Sequence, residues 1–293
     1  MAISSFTSWL LNDLTNFPSM TAEPKKLIAR TLDELDELLN THLLEEGSTY
    51  SLDVTVHLSQ EALVKLSESP LGMILERLDL HPEYDEDNHT IDFYKTKFPM
   101  LKELSILHQF IQSVYFTAEC FPLLESLHIE QPLVPDQFFF NTDLPNLVHM
   151  SLRFVGLILA SEFGPSLSRS PKLKTFISYK LYGLGCKADH KIVLPNITNL
   201  DFYRCEDLKG LKLWAPRLEN LNLQACYSIR KVDILNVNRK PAGFPGPEYD
   251  FKGEPSKFEV NCTNCCDMPK GSMATSPRCK NILRPVEDPM GGL

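Results

Sequence analysis

One phrase governs what this chain can fold into. The form x-P-x-L-x-x-L-x-L occurs six times: FPMLKELSI (98–106), FPLLESLHI (121–129), LPNLVHMSL (144–152), SPKLKTFIS (170–178), LPNITNLDF (194–202) and APRLENLNL (215–223). Its prolines lie at 99, 122, 145, 171, 195 and 216, at spacings of 23, 23, 26, 24 and 21 residues. Such a period marks an array in which each unit buries its apolar side only against its neighbours. The L-x-L core has period two, so its leucines face one side of a strand and the residues between them face the other. The period is too short for a crossover containing a long helix. It fits one short strand, a tight corner and a short return segment, with the strands stacking into a parallel sheet. Proline at the strand entrance costs no central ladder hydrogen bond. Weaker copies extend the array: LDVTV (52–56), followed by a helix start at Ser59, then LERLDL (75–80), and a degraded SPRCKNIL (276–283). The expectation is an α/β solenoid of about eight coils, with irregular short convex helices on the return side.

The last coils should differ. LKGLKL (208–213) and IRKVDI (229–234) fall half a coil after the main strands, and a 21-residue coil leaves no room for a helix. Both are therefore predicted to be convex strands, which moves Lys212, Trp214 and Asp233 away from the main sheet's exposed face. Cys205 and Cys226 mark the corners between the two faces. They are expected to be buried, with their thiols toward the corner backbone.

Outside the array, residues 1–48 read as a helical cap. Phe6, Leu10, Leu14 and Phe17 have helical spacing after Ser4 or Ser5 as N-cap. A second helix is predicted from Pro24, with Ile28, Leu32, Leu35, Leu39 and Leu43 on one stripe and Asp33, Glu34, Asp36 and Glu37 opposite. Such a helix caps the neighbouring core or docks a partner. The solenoid spans 49–235. Pro241, Pro245, Pro247 and Pro255 make 236–255 a Pro/Gly-rich loop. Residues 256–284 form an irregular C-terminal cap, in which KFEVNC (257–262) adds a strand, and 285–293 are expected to be a disordered tail.

LDFYRCEDL (200–208) and LNLQACYSI (221–229) follow L-x-x-L-x-L-x-x-N/C-x-L through Cys205 and Cys226. Over about residues 50–235 the chain thus resembles the leucine-rich-repeat family. Its cysteine-containing variety is similar to the repeats of F-box leucine-rich-repeat proteins. The resemblance implies a right-handed solenoid that binds protein. Gln109, Pro132 and Val155 stand at other equivalents of the N/C position, so an irregular array is expected. Residues 1–48 lack a Leu-Pro start and have too few helices for an F-box. A substrate-recognition subunit of a ubiquitin ligase is therefore the second reading, and it needs a cullin-adaptor contact from those helices.

Charge and chemistry narrow the function. The net charge of −9 is uneven: residues 1–96 hold 6 cationic and 18 acidic residues, and the remainder holds 23 and 20. Neither part shows the clustered cations that nucleic acid or an anionic membrane requires. The acidic run Glu83–Asp87 lacks the spaced ligands and glycine of a calcium loop and reads as a solvated loop. No cationic n-region precedes the first apolar run, and no apolar stretch approaches membrane-spanning length. The expectation is a cytoplasmic or nuclear monomer with its eight cysteines reduced. The N-x-[ST] sequons at Asn88, Asn196 and Asn261 then read as chance. Cys262, Cys265, Cys266 and Cys279 are a weak zinc candidate, because one C-x-x-C lacks a second well-spaced pair. Their other reading is end-cap or surface thiols. No nucleophile elbow, P-loop, metalloprotease or dinucleotide motif occurs. His128 and His149, near Ser126 and Ser151, have no orienting acid in an enclosed pocket, so no enzyme and no cofactor are expected.

The residues between the leucines form the main sheet's exposed face. From the six Pro-marked strands these include His128, Glu130, His149, Arg153, Tyr179, Asp201, Tyr203, Asn222 and Gln224. This mixture of polar groups, two tyrosines and an arginine has the composition of protein interfaces, although any exposed sheet face must be polar. The expected function is a non-catalytic scaffold binding a partner protein there.

Overall fold

The computed structural model describes residues 24–40, 44–45, 47–82, 91–107, 113–130, 139–153, 165, 167–180, 191–205, 208, 210–229, 231–235, 237–240, 242–244, 259–263, 273–275 and 280–283. The anticipated helix over 4–17, the acidic run Glu83–Asp87 and the tail after 284 lie outside these residues.

The proline of every repeated phrase sits inside a β-turn. The turn closes through Leu101 N to Phe98 O, Leu124 N to Phe121 O, Leu147 N to Leu144 O, Leu173 N to Ser170 O, Ile197 N to Leu194 O and Leu218 N to Ala215 O, at 3.1–3.4 Å. Proline follows the first residue of each turn, where its fixed φ presets the bend and its missing N–H is not needed. Both the residue opening the turn and the one closing it are buried. The next residue is tied to the preceding coil: Lys102 N donates to Glu76 O, Glu125 N to Lys102 O, Val148 N to Glu125 O, Lys174 N to Val148 O and Thr198 N to Lys174 O, each at 2.8 Å. Two side chains brace the same corner. Asn146 Nδ2 donates to Pro122 O (2.7 Å) and Asn196 Nδ2 to Pro171 O (2.8 Å).

Among the described residues these corners feed an eleven-stranded, all-parallel sheet with its strands in chain order. Its members are β1 (Lys25–Ala29), β2 (Tyr50–Val54), β3 (Leu75–Leu80), β4 (Glu103–Leu107), β6 (Ser126–Glu130), β8 (His149–Arg153), β9 (Thr175–Tyr179), β11 (Asn199–Tyr203), β13 (Asn220–Gln224), β15 (Glu259–Thr263) and β17 (Lys280–Leu283). Return strands fill the other half of many coils. β5 (Ser113–Thr117) pairs with β7 (Phe139–Asp143). β10 (Lys191–Val193), β12 (Gly210–Trp214), β14 (Lys231–Leu235) and β16 (Met273–Thr275) form a four-stranded parallel sheet. The fold is a parallel solenoid with few helices: among the described residues these are α1 (Leu32–Asn40), α2 (Gln60–Glu68), one 3-10 turn at Phe93–Lys95, and helical residues Pro165, Leu167 and Ser168. One core runs between the faces, with Leu200, Phe202, Leu221 and Leu223 on the main side meeting Ile192, Leu211, Leu213, Val232 and Ile234 on the return side. Each such burial is worth roughly 1.5–3 kcal/mol.

The strands expected at 208–213 and 229–234 are present as β12 and β14. Cys205 and Cys226 open the second corner, where Leu208 N donates to Cys205 O and Ile229 N to Cys226 O. As anticipated, both cysteines are buried and face backbone. Cys226 Sγ lies 3.5 Å from Phe202 O, and Cys205 Sγ lies 3.6 Å from Tyr203 O. Ser178 extends this stack at an inward position, 3.4 Å from Cys205 Sγ.

Three expectations change. The helix predicted from Pro24 begins only at Leu32, and Lys25–Ala29 is instead the edge strand β1, paired in register with β2. The sequence Thr31-Leu32-Asp33-Glu34 is a variant of the capping box: Glu34 N donates to Thr31 Oγ1 (3.1 Å), and Glu34 Oε2 reaches back one residue beyond the cap to accept from Arg30 N (2.6 Å). Ile28 and Leu32 are consequently exposed, while Leu35 and Leu39 are buried. Among the described residues the main sheet has eleven strands where about eight coils were expected, because β1 adds one at the start, and β15, on the strand expected within 257–262, and β17 continue it through the C-terminal segment. Convex strands are not limited to the C-terminal coils. From β4 to β13 the strand-to-strand interval varies between 21 and 26 residues, and β5 and β7 already occupy the return side. The Pro/Gly-rich segment, where it is described, is an irregular and mostly exposed strap anchored at its buried Phe244. Phe244 joins Val193 and Trp214 in a second apolar cluster, and Lys191 Nζ donates to the carbonyl of Gly243, whose φ of +83° suits glycine.

Candidate functional site: the exposed face of the main sheet

Parallel, in-register pairing lines up every second residue of the main strands into rows. Toward the strand ends the row reads Glu130, Arg153, Tyr179, Tyr203 and Gln224. The central row reads Asp79, Ser105, His128, Ser151, Ile177, Asp201, Asn222 and Asn261. Toward the strand starts it reads Glu103, Ser126, His149, Thr175, Asn199 and Asn220. All nine predicted residues are on this face, half-buried or exposed, and their inward neighbours are buried.

The structure gathers them into three groups. Glu130 is the hub of the first: its Oε2 lies 3.6 Å from Arg153 and 3.8 Å from His128 Nε2. The second is a tyrosine pair, Tyr179 and Tyr203, stacked at 4.7 Å between centroids and 14° between planes. The third is an amide ladder: Asn222 Nδ2 donates to Asp201 Oδ1, and Asn261 Nδ2 donates to Asn222 Oδ1 (2.9 Å). A parallel ladder of Asn220 on Asn199 (2.8 Å) flanks it. His149 stands apart from the first group, in register with Ser126 and Thr175, and Gln224 is exposed at the end of its row.

Two site residues escape sequence reasoning. Lys180 and Arg204 follow the tyrosines with φ of 52°, in the left-handed region. Lys180 Nζ sits 5.7 Å from the Tyr179 ring centre, and the Arg204 guanidinium 5.5 Å from that of Tyr203. Nothing in the sequence marks these positions, because the usual left-handed residues are Gly and Asn.

The N-terminal end of the face is different. Pro24, Lys26, Ser51, Glu76, Arg77, Asp79, Lys102 and Glu103 line an open depression of about 610 Å³. Its cations are answered locally: Arg77 by Asp79 (2.7 Å) and Glu103 (3.0 Å), Lys102 by Glu76 (2.8 Å), and Lys26 by Asp53 (3.2 Å). The Asp79 hydrogen bond holds Arg77 even more firmly charged.

Burial, and secondarily Arg153, lowers the pKa of His128 below its ordinary 6.5, with Glu130 opposing. The unfolded chain therefore takes up a proton near pH 6.5 that the folded chain resists. Stability contributed by neutral His128 is complete above that pH and falls as pH drops toward the folded value. His128→Gln should accordingly flatten the decline of the urea midpoint between pH 7 and pH 5. An unchanged slope would assign that decline to other groups.

Of the four cysteines considered for zinc, one is among the described residues. Cys262 is buried in the core on β15, and Cys265, Cys266 and Cys279 lie outside the described residues. Among the described residues no group of three or more His, Cys, Asp or Glu is placed to hold a metal ion, and no helix is long and apolar enough to cross a membrane. What the face offers chemically is a broad array of hydrogen-bonding groups, aromatic surface and fixed charge. No family model, no curated protein and no solved structure matches this chain.

Proposed function

We propose that this chain is a leucine-rich-repeat protein acting as a non-catalytic scaffold, which binds a partner protein on the exposed face of its main sheet. The observation that carries the reading is the stacked Tyr179–Tyr203 pair with Arg153 beside it in the same row. Tyrosine and arginine are among the residues enriched at binding hot spots, tyrosine because it supplies large contact area at low ordering cost and arginine because it makes directed hydrogen bonds. A scaffold also fits a face whose polar groups are spread along the strands instead of converging on one point.

The test is affinity purification with mass spectrometry, comparing the wild type with the triple variant Arg153→Ala, Tyr179→Ala, Tyr203→Ala. Partner recovery should fall tenfold or more, since truncating a hot-spot residue costs about 2 kcal/mol or more. The unfolding midpoint should change little, because none of the three side chains is in the core. A partner retained at wild-type level by the folded triple variant removes this face from consideration.

A further inference from the structure

The ends of β8, β9 and β11 carry more specific information than the rest of the face. Three successive main strands, β9, β11 and β13, finish in a left-handed residue: Lys180, Arg204 and Ala225, with φ of 52°, 52° and 53°. The corner itself demands this conformation, as Lys180 N donates to Tyr203 O (2.9 Å) and Arg204 N to Gln224 O (2.8 Å). Glycine satisfies it without strain. At two of the three corners the chain instead carries a long cation, folded back over the tyrosine that precedes it. Strain retained at a site in this way points to a function for the side chain that bears it.

Arg153 adjoins them in register with Tyr179. Three neighbouring strands, about 4.8 Å apart, thus present Arg153, Lys180 and Arg204 along a ledge floored by two tyrosine rings. Glu130 answers Arg153 at one end, and Asp201, in the central row, already accepts from Asn222. The ledge also lies in the part of the chain with a cationic surplus.

We infer that this ledge receives an acidic, extended segment of the partner protein, an inference that rests on the reading of the face as a protein-binding surface. Carboxylates two or three residues apart in such a segment match cations on neighbouring strands, where charge-assisted hydrogen bonds form. A nucleic acid would need a longer track of cations to neutralise its phosphates.

The full chain is titrated by fluorescence anisotropy against three probes: a labelled octapeptide of alternating Glu and Tyr, its Gln–Tyr counterpart, and a single-stranded oligothymidylate. The Glu peptide should bind at least tenfold more tightly than the other two, and its affinity should fall as salt rises. The double variant Lys180→Gly, Arg204→Gly should lose at least tenfold of that affinity while its melting temperature holds or rises, because glycine relieves both left-handed positions. Cations kept for stability alone would give the opposite pairing, a lower melting temperature with binding intact. Equal binding of the Gln peptide, tighter binding of the oligothymidylate, or full affinity in the glycine variant overturns the inference. If the alanine triple loses its partner while the Glu peptide shows no preference, only this inference falls. If the triple keeps its partner, the face reading falls and this falls with it.

Discussion

Trp214→Ala should lower the stability of the chain by about 3–5 kcal/mol, the range for truncating a buried aromatic side chain. It should also open the segment around Arg239 to trypsin. On β12 Leu211 and Leu213 face inward, and Trp214, at the end of the strand, shares the outward parity of Lys212. By parity it faces away from the main core, yet none of it is exposed. Val193 on β10 and Leu235 on β14 are its register partners, so the three form an apolar row across the back of the return sheet. The strap covers that row: Phe244 packs on it, Lys212 Nζ stands 6.0 Å from the Phe244 ring centre, and Lys240 Nζ donates to Phe244 O. Trp214 Nε1 donates to Val237 O (2.8 Å) and pins the start of the strap. Alanine removes both the apolar bulk and this donor. Trp214→Phe keeps most of the bulk, and should cost mainly the hydrogen bond, about 1 kcal/mol. Urea denaturation measures both values. Wild-type trypsin resistance in the alanine variant would show that the strap is held by other contacts.

That row also shows where sequence reasoning stops. The alternation in LKGLKL and the 21-residue coil put β12 on the return side, and Trp214 facing away from the main sheet, using local information alone. A tryptophan at an outward position then implies a cover, but the covering segment is rich in Pro and Gly. Such composition rules out regular structure and says nothing about packing. The same division recurs elsewhere. The proline phrase is legible because turn chemistry and period-two patterning agree within nine residues. The start of α1 was misplaced because Ile28 happens to continue the 32–35–39 stripe by four residues. The capping box at Thr31–Glu34 was the better signal, and the pairing of Lys25–Ala29 with β2 is non-local. The exposed face was legible as a set of residues, since parity alone selects it. Its grouping was not, because stacked tyrosines and the Glu130 hub depend on register between coils separated by loops of differing length. The left-handed Lys180 and Arg204 are the furthest from sequence, since the demand for that conformation comes from the neighbouring strand's carbonyl.

The largest effect on the main core is expected at Phe121, for a reason that also concerns how the array holds its middle coils. The repeated phrase normally supplies leucines, but here the corner residues Phe98 and Phe121 meet Phe93 and, on β5, Phe116. Phe121 touches all three rings, stacked on Phe98 at 5.9 Å, edge-on to Phe116 at 5.4 Å and tilted against Phe93 at 5.8 Å. It therefore joins two successive proline corners to the 3-10 turn and the first return strand. Phe121→Ala leaves the backbone bonds of the corner in place, including Phe121 N to Thr117 O (2.9 Å), and removes only the ring. The expected loss is about 3–5 kcal/mol. Phe121→Leu restores much of the buried area but none of the ring pairing, worth about 0.5–1.5 kcal/mol per contact beyond area, so it should fall between alanine and wild type. In a solenoid each coil is stabilised mainly by its neighbours. The alanine variant should therefore separate the cooperative transition: the coils around β4–β6 melt at lower urea, while the signal from strap-protected Trp214 reports the later coils. A single transition shifted as a whole would show instead that all the coils unfold as one unit.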